Sequence, residues 1–243
     1  MGAKSLLLTD RIQITDDIYV KIPSVGDVLR DEEAYYDIVV PLTSMPIDYM
    51  APLAKMGKDF ECVRPYELFK MLFMGLKGCD MSNVFGDLDT SDFDIYITEK
   101  GDEILYSPKQ KIGIDEFVYY QISDAIRKIN LFKKNTTRPG NESAKKYLID
   151  KALKKLERDI RRNKNKPFQP FLEPAVVALV NRGEFKYNFE QTYDMSLYVF
   201  NRSLSQIQHG IIFDNTMHGM YVGMIDSSKI KDKSALNLIK TKA

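Results

Sequence analysis

Apolar side chains alternate with polar ones near the start of this chain and recur every three or four residues towards its end. Arg11-Ile12-Gln13-Ile14-Thr15 and Ile18-Tyr19-Val20-Lys21-Ile22 place every second side chain on one face, with Asp16-Asp17 between them. Period two marks a half-buried strand, so the stretch predicts a hairpin. Pro23 closes the second strand, because it has no amide hydrogen for a ladder. Val28, Leu29, Tyr35, Tyr36, Val39 and Val40 then fit a short helix pair interrupted near Arg30-Asp31. Pro41, Pro46 and Pro52 cut the next stretch into short pieces, and Pro65 suits the first turn of a helix. That helix carries Leu68, Met71, Leu72 and Gly75 on one face, with Gly78 expected as its C-terminal cap. Phe93, Ile95 and Ile97 alternate with Asp94, Tyr96 and Thr98; Lys100-Gly101-Asp102 turns the chain and Ile104-Leu105-Tyr106 returns as a second hairpin.

From Asp115 the period becomes helical. Val118, Ile122, Ala125, Ile129 and Phe132 form one stripe. After a loop from Asn135 to Asn141, a second helix is expected from about Glu142 to Arg162, with Ile149, Leu153, Leu156 and Ile160 as its apolar side. Phe171 to Val180 is apolar all round and reads as a buried helix ended by Gly183. A helix after Asn188 carries Tyr193, Leu197, Phe200, Leu204 and Ile207. A last short helix spans Asn215 to Met224, ahead of a polar tail from Ser227. Narrow stripes of this kind suit antiparallel packing. The expected fold is α+β: a mixed region over residues 1–112 with two β-hairpins, then a helical, bundle-like region over 113–243.

Composition narrows the class. With 44% hydrophobic and 28% charged residues the chain is globular rather than disordered. Its longest uncharged apolar run, Ala175 to Val180, is far short of the ~20 residues that cross a bilayer. Cys62 and Cys79, without a signal-peptide core, suggest free thiols in a reducing compartment. The net charge of +1 hides an asymmetry: residues 1–126 hold 12 basic and 23 acidic side chains, residues 127–166 hold 15 and 4, and residues 167–243 hold 8 and 7. An acidic first half beside a basic middle suggests internal charge complementarity or a partner surface.

The residues offer little for catalysis. His209 and His218 are the only imidazoles, and no nucleophile motif accompanies them. His209, Asp214 and His218 lack metal-ligand spacing, and Gly210 is expected to interrupt a helix between them. Asp87, Asp89, Asp92 and Asp94 miss the calcium-loop pattern, which needs Gly at its sixth position and Glu at its twelfth. Phosphate-binding glycine loops are absent. No catalytic residue, metal or cofactor is therefore assigned, and an enzyme is not expected. The strongest feature is the basic helix, where Lys151, Lys154, Lys155, Arg158 and Arg162 flank the apolar stripe and Lys164 and Lys166 follow. Three readings stay open for it: a solvated face, a docking surface for an acidic protein region, or a contact to nucleic acid or anionic lipid. Tyr147 alone offers a stacking surface there, which argues against nucleic acid. Met71, Phe73 and Met74 form one adaptable apolar patch and Met217, Met220, Tyr221 and Met224 another, suited either to core packing or to a partner groove.

Several stretches carry a wider likeness: Ile22-Pro23-Ser24-Val25-Gly26-Asp27-Val28, Tyr66-Glu67-Leu68-Phe69, Phe85-Gly86-Asp87-Leu88-Asp89, Gly140-Asn141-Glu142-Ser143-Ala144-Lys145-Lys146, Phe185-Lys186-Tyr187-Asn188 and Asp214-Asn215-Thr216-Met217-His218-Gly219-Met220-Tyr221-Val222-Gly223. Through them the chain resembles proteins of tailed bacteriophages and prophages of Gram-positive bacteria, similar in character to the tail-morphogenesis block that includes tail assembly chaperones. Such chaperones coat the tape-measure protein before the tail tube polymerises and are not enzymes. The resemblance implies a tail assembly protein in the host cytoplasm or the virion tail, without catalytic residues or cofactor. Its partner would be the tape-measure or another tail protein, with self-association as a further mode and no membrane. Lys151, Lys154, Lys155, Arg158 and Arg162 are the candidate charged contact, and Met217, Met220, Tyr221 and Met224 the apolar one. A structural virion component, such as a baseplate or neck subunit, is the alternative, with nucleic-acid binding through the basic helix as the third.

Overall fold

The computed structural model describes residues 5–99, 101–163 and 166–240, so Lys100 of the expected turn and Lys164 of the basic stretch lie outside the described residues. The first hairpin pairs β1 (Arg11–Gln13) with β2 (Tyr19–Lys21) antiparallel, Ile12 opposite Val20. The expected helix pair is α1 (Val25–Arg30) and α2 (Glu32–Thr43). Ser24 and Asp27 form a capping box on α1, and the Asp31 carboxylate accepts the Ala34 amide hydrogen at 3.0 Å. A side-chain cap at Asp31 satisfies a donor that the first turn of α2 would leave orphaned, which is why the chain breaks there. A 3-10 turn over Pro46–Tyr49 leads into α3 (Met50–Lys55), and α4 (Pro65–Gly75) starts on its proline. Gly78 is not its cap: the helix stops at Gly75 and Leu76 takes that place. Next come α5 (Ser82–Phe85) and a sheet of β3 (Asp94–Ile97), β4 (Glu103–Ser107) and β5 (Ile112–Ile114), antiparallel in that order. β5 adds a strand to the expected hairpin, and the anticipated division at 112/113 falls inside it.

The helical half contains α6 (Glu116–Asn130), α7 (Glu142–Asn163), α8 (Leu172–Val180), α9 (Phe189–Asp194) and α10 (Leu197–Tyr221). The fold is α+β. Three helical expectations change. First, the stripe from Tyr193 to Ile207 is cut at Met195-Ser196, where the chain runs extended beside residues 23–25. The Val25 amide donates to the Met195 carbonyl and the Leu197 amide to the Pro23 carbonyl, both at 2.8 Å. Second, α10 runs through Gly210 and takes in most of the expected last helix. Third, α8 buries only Leu172, Val176 and Leu179, leaving Val177 48% and Phe171 63% exposed. It is a surface helix with one docked face, not one buried all round.

One core cluster runs from Ile18 to Phe200 and takes side chains from both halves. α6 is its axis, burying Val118, Tyr119, Ile122, Ala125, Ile126 and Ile129. Its polar residues close the end of α2: Ser123 Oγ donates to the Leu42 carbonyl at 2.5 Å and Arg127 Nε to the Thr43 carbonyl at 3.1 Å. Such orphan carbonyls are costly when buried, so these bonds let α2 end inside the molecule. Ile47, Leu53 and Phe60 form a separate small cluster, joined by Ile149 of α7.

Candidate interaction surface

α7 is held at its beginning and bare further on. The Asn141 carboxamide oxygen accepts the Ala144 amide at 2.8 Å, an N-cap for the helix. Four residues on, Lys145 is 8% exposed, and its Nζ lies 2.5 Å from Asp59 Oδ2 and 2.7 Å from Glu61 Oε2. The hydrogen bond to Asp59, then that to Glu61, raises the ammonium pKa, and Lys145 holds the Asp59 carboxyl below its ordinary range. Ile149 packs into the small cluster beside α3. α3 has six residues and α7 has 22, so about 9 Å of helix supports about 33 Å. Leu153 and Leu156 are accordingly half-buried, and Ile160 is 56% exposed.

The predicted cationic residues share one face. Steps of three and four place Lys151, Lys154, Lys155, Arg158 and Arg162 opposite Ile149, Leu153 and Leu156, rather than merely beside that stripe. All five are exposed. Lys154 pairs with its helix neighbour Asp150 at 2.7 Å. Among the described residues the other four make no ion pair. Internal complementarity with the acidic half therefore reaches α7 at Lys145, not along the cationic row.

The methionine patch divides. Tyr221 and Met224 are 84% and 85% exposed, whereas Met217 and Met220 are half-buried. The tail folds back along α10: Gln206 Nε2 donates to the Leu238 carbonyl at 2.7 Å, and Gln206 Oε1 accepts the Lys240 amide at 3.0 Å. His209 Nε2 lies 2.7 Å from the Asn237 carbonyl oxygen, so this imidazole ties down the tail. A Cβ at Gly219 would come within 2.6 Å of Ile225 Cδ1, which shows how closely the tail turns over the helix. Its sequence looked merely polar, but Asp226 and Asp232 each accept an amide two residues on, the local signal of ordered turns. In the other patch Phe73 is wholly buried and Met74 packs against the core.

The aspartates near residue 90 have turn roles. Asp89 accepts the Ser91 amide at 3.0 Å, and Asp92 accepts from Ser107 Oγ at 2.7 Å and the Lys109 amide at 3.0 Å. Among the described residues no cluster suits a metal ion. Three segments distant in sequence also build a feature that spacing along the chain does not show. An open cleft of about 880 Å³ gathers Glu67 of α4, Glu99, Asp102 and Glu103 of the β3–β4 hairpin, and Asp115 and Glu116 at the start of α6. Arg64 is the one cation lining it among the described residues. At its wall the Tyr66 hydroxyl donates to the Ile114 carbonyl and accepts the Leu105 amide at 3.3 Å. Burial pushes that phenol up to about 12.

These observations define an α+β protein that presents a cationic helix face and an acidic cleft on separate elements. Residues 162–239 match the family model of the second domain of YomV, a Bacillus phage or prophage protein, and this likeness associates the chain with phage proteins. The matched stretch takes in α8, α9, α10 and the returning tail. No curated protein and no solved structure matches the chain. None of the described helices is long and apolar enough to cross a membrane.

Proposed function

We propose that the chain is a phage tail assembly protein that works as a chaperone for the tape-measure protein in the host cytoplasm, by surface complementarity and without catalysis. The observation that carries this reading is the row Lys151, Lys155, Arg158 and Arg162, four exposed cations with no ion-pair partner among the described residues. The likeness to a phage protein domain supports the setting. In the proposed mechanism the row selects acidic stretches of a long helical client. Exposed Tyr221 and Met224, with Met217 and Met220 beside them, then cover its apolar face.

Magnitudes divide the labour. An exposed ion pair is worth roughly 0.2–1 kcal/mol, so five cations supply at most a few. Micromolar binding needs about 8 kcal/mol. Charge therefore steers and orders the encounter, and apolar burial retains the client.

The test is co-expression with a phage tape-measure protein, followed by affinity capture. Co-elution that weakens in Lys151→Glu/Lys155→Glu/Arg158→Glu supports the reading. Failure to retain the tape-measure protein, together with stoichiometric recovery of the chain from purified virions, would replace it with a structural role.

A further inference from the structure

We infer that the cationic face of α7 docks into the acidic cleft of a second copy of this chain, producing head-to-tail self-association. This inference goes beyond the chaperone reading and does not rest on it.

Both halves of the contact are present on each molecule. From Lys151 to Arg162 the row extends over about 16 Å of helix. The cleft offers six carboxylates, and their engagement differs. Asp115 caps α6 through the Val118 amide at 2.8 Å, Glu67 meets Arg64 at 2.9 Å, and Glu103 meets Lys70 at 2.5 Å. Glu116 reaches Arg64 at 3.8 Å. Glu99 and Asp102 are exposed and make no ion pair among the described residues. Among the described residues, negative charge is thus left over at the mouth of the cleft, as positive charge is left over on α7.

Within one molecule no ion pair joins the row to the cleft among the described residues. α7 is held by α3 and the Ile47, Leu53 and Phe60 cluster on the side opposite the row, so the cations face away from the body. Residues 1–126 carry 12 basic and 23 acidic side chains and residues 127–166 carry 15 and 4, so every copy offers both charges. Two α7 faces repel each other, as do two clefts. The complementary arrangement is therefore heterologous, with the helix of one copy against the cleft of the next. Nucleic acid fits this face less well. It would leave the cleft unexplained, and Tyr147 is the only aromatic side chain in α7 available for stacking.

The full chain tests this alone, without any client. Its mass is measured by light scattering at about 0.01 M salt, where charges act over ~30 Å, and at about 1 M, where they act over ~3 Å. The expected result is a species heavier than the 28.0 kDa monomer at low salt that reverts to monomer at high salt. Lys151→Glu/Lys155→Glu/Arg158→Glu should be monomeric at both, and so should Glu99→Lys/Asp102→Lys, each with an unchanged circular dichroism melt because the altered side chains are exposed. Mixing the two variants equimolar should restore association, since each supplies the surface the other has reversed. A monomeric wild type at low salt overturns the inference, as does association that neither variant disturbs. Monomeric protein whose α7 row instead retards DNA in a gel would assign the face to nucleic acid and overturn it equally. A client that fails to bind leaves these measurements untouched.

Discussion

Gly86 shows how a single position can be dictated by backbone and neighbour together. Its φ is +60°, and a Cβ there would run into the hydroxyl and ring of Tyr19 on β2. Only glycine takes this conformation without strain, and the close approach holds α5 against the first hairpin. Gly86→Ala should cost about 1–3 kcal/mol, plus whatever the displaced tyrosine adds, read as a lowered midpoint in thermal or urea unfolding. An unchanged midpoint would mean that the turn relaxes freely. Glu32 is dictated differently. It is a buried carboxylate whose Oε1 accepts the Phe171 and Leu172 amides, at 2.8 and 2.9 Å, and so caps α8 from another helix. Glu32→Ala should destabilise by about 0.5–2 kcal/mol, the range for a lost cap. Hydrogen exchange at those two amides should rise more than elsewhere. Nothing in the sequence announces this role, since the partners lie 139 and 140 residues away and Glu32 reads as an ordinary first-turn acid. The break near Asp31, one residue earlier, was legible in the sequence, and the cap that causes it is local.

The same contrast between local and distant causes explains which elements could be read in advance. α6 and α7 follow stripes long enough to fix type and extent, and their starts at Asp115 and Asn141 carry capping residues. β5 is three residues long with Gly113 at its centre, too short to show a period. The break between α9 and α10 has a cap at Ser196, but its cause is the pair of backbone bonds to Pro23 and Val25. The cationic row was readable from spacing, whereas the acidic cleft was not, because it exists only once α4, α6 and the β3–β4 hairpin converge. For α7 the chemistry of its anchor sets a pH range. Asp59, held below its ordinary 3.8 chiefly by the Lys145 hydrogen bond, contributes above that value and stops contributing as pH falls through its lowered native pKa. Lys145, raised above its ordinary 10.5 by Asp59 and then Glu61, contributes fully below that value and loses its part as pH climbs through the raised one. The first turns of α7 should therefore stay docked at neutral pH and loosen under acid. Protection factors of residues 142–150, taken relative to the intrinsic exchange rate at each pH, should fall on acidification before those of the α6 amides. Lys145→Ala should produce the same local loosening at neutral pH. If that variant leaves α7 as protected as before, Ile149 and the α3 contact hold the helix without the ion cluster.

Taken whole, the molecule joins the phage-like stretch to the rest through a shared interior. Leu172, Val176, Leu179, Phe185, Leu197 and Phe200 lie in residues 162–239 and belong to the same buried cluster as Val25, Val28, Tyr35 and Ile129. Fully burying such side chains is worth roughly 1.5–3 kcal/mol each, so these six bring an upper estimate of about 9–18 kcal/mol. That is of the same order as the ~5–15 kcal/mol by which a whole domain is stable. α9 lies against α1, α10 crosses α6, and the Ser24–Ser196 bridge stitches the two stretches at the backbone. Cutting before residue 162 would expose the inner sides of α8, α9 and α10 together and leave the backbone groups of Met195 and Leu197 without their partners. The stretch resembling a second domain should therefore not fold alone in this protein. Expressed as residues 162–239, it should show some helical circular dichroism but no cooperative melt, whereas the full chain should unfold in one transition by circular dichroism and by tyrosine fluorescence alike. A cooperative transition in the fragment, or two separated transitions in the full chain, would show that the burial across the junction is not what holds these helices.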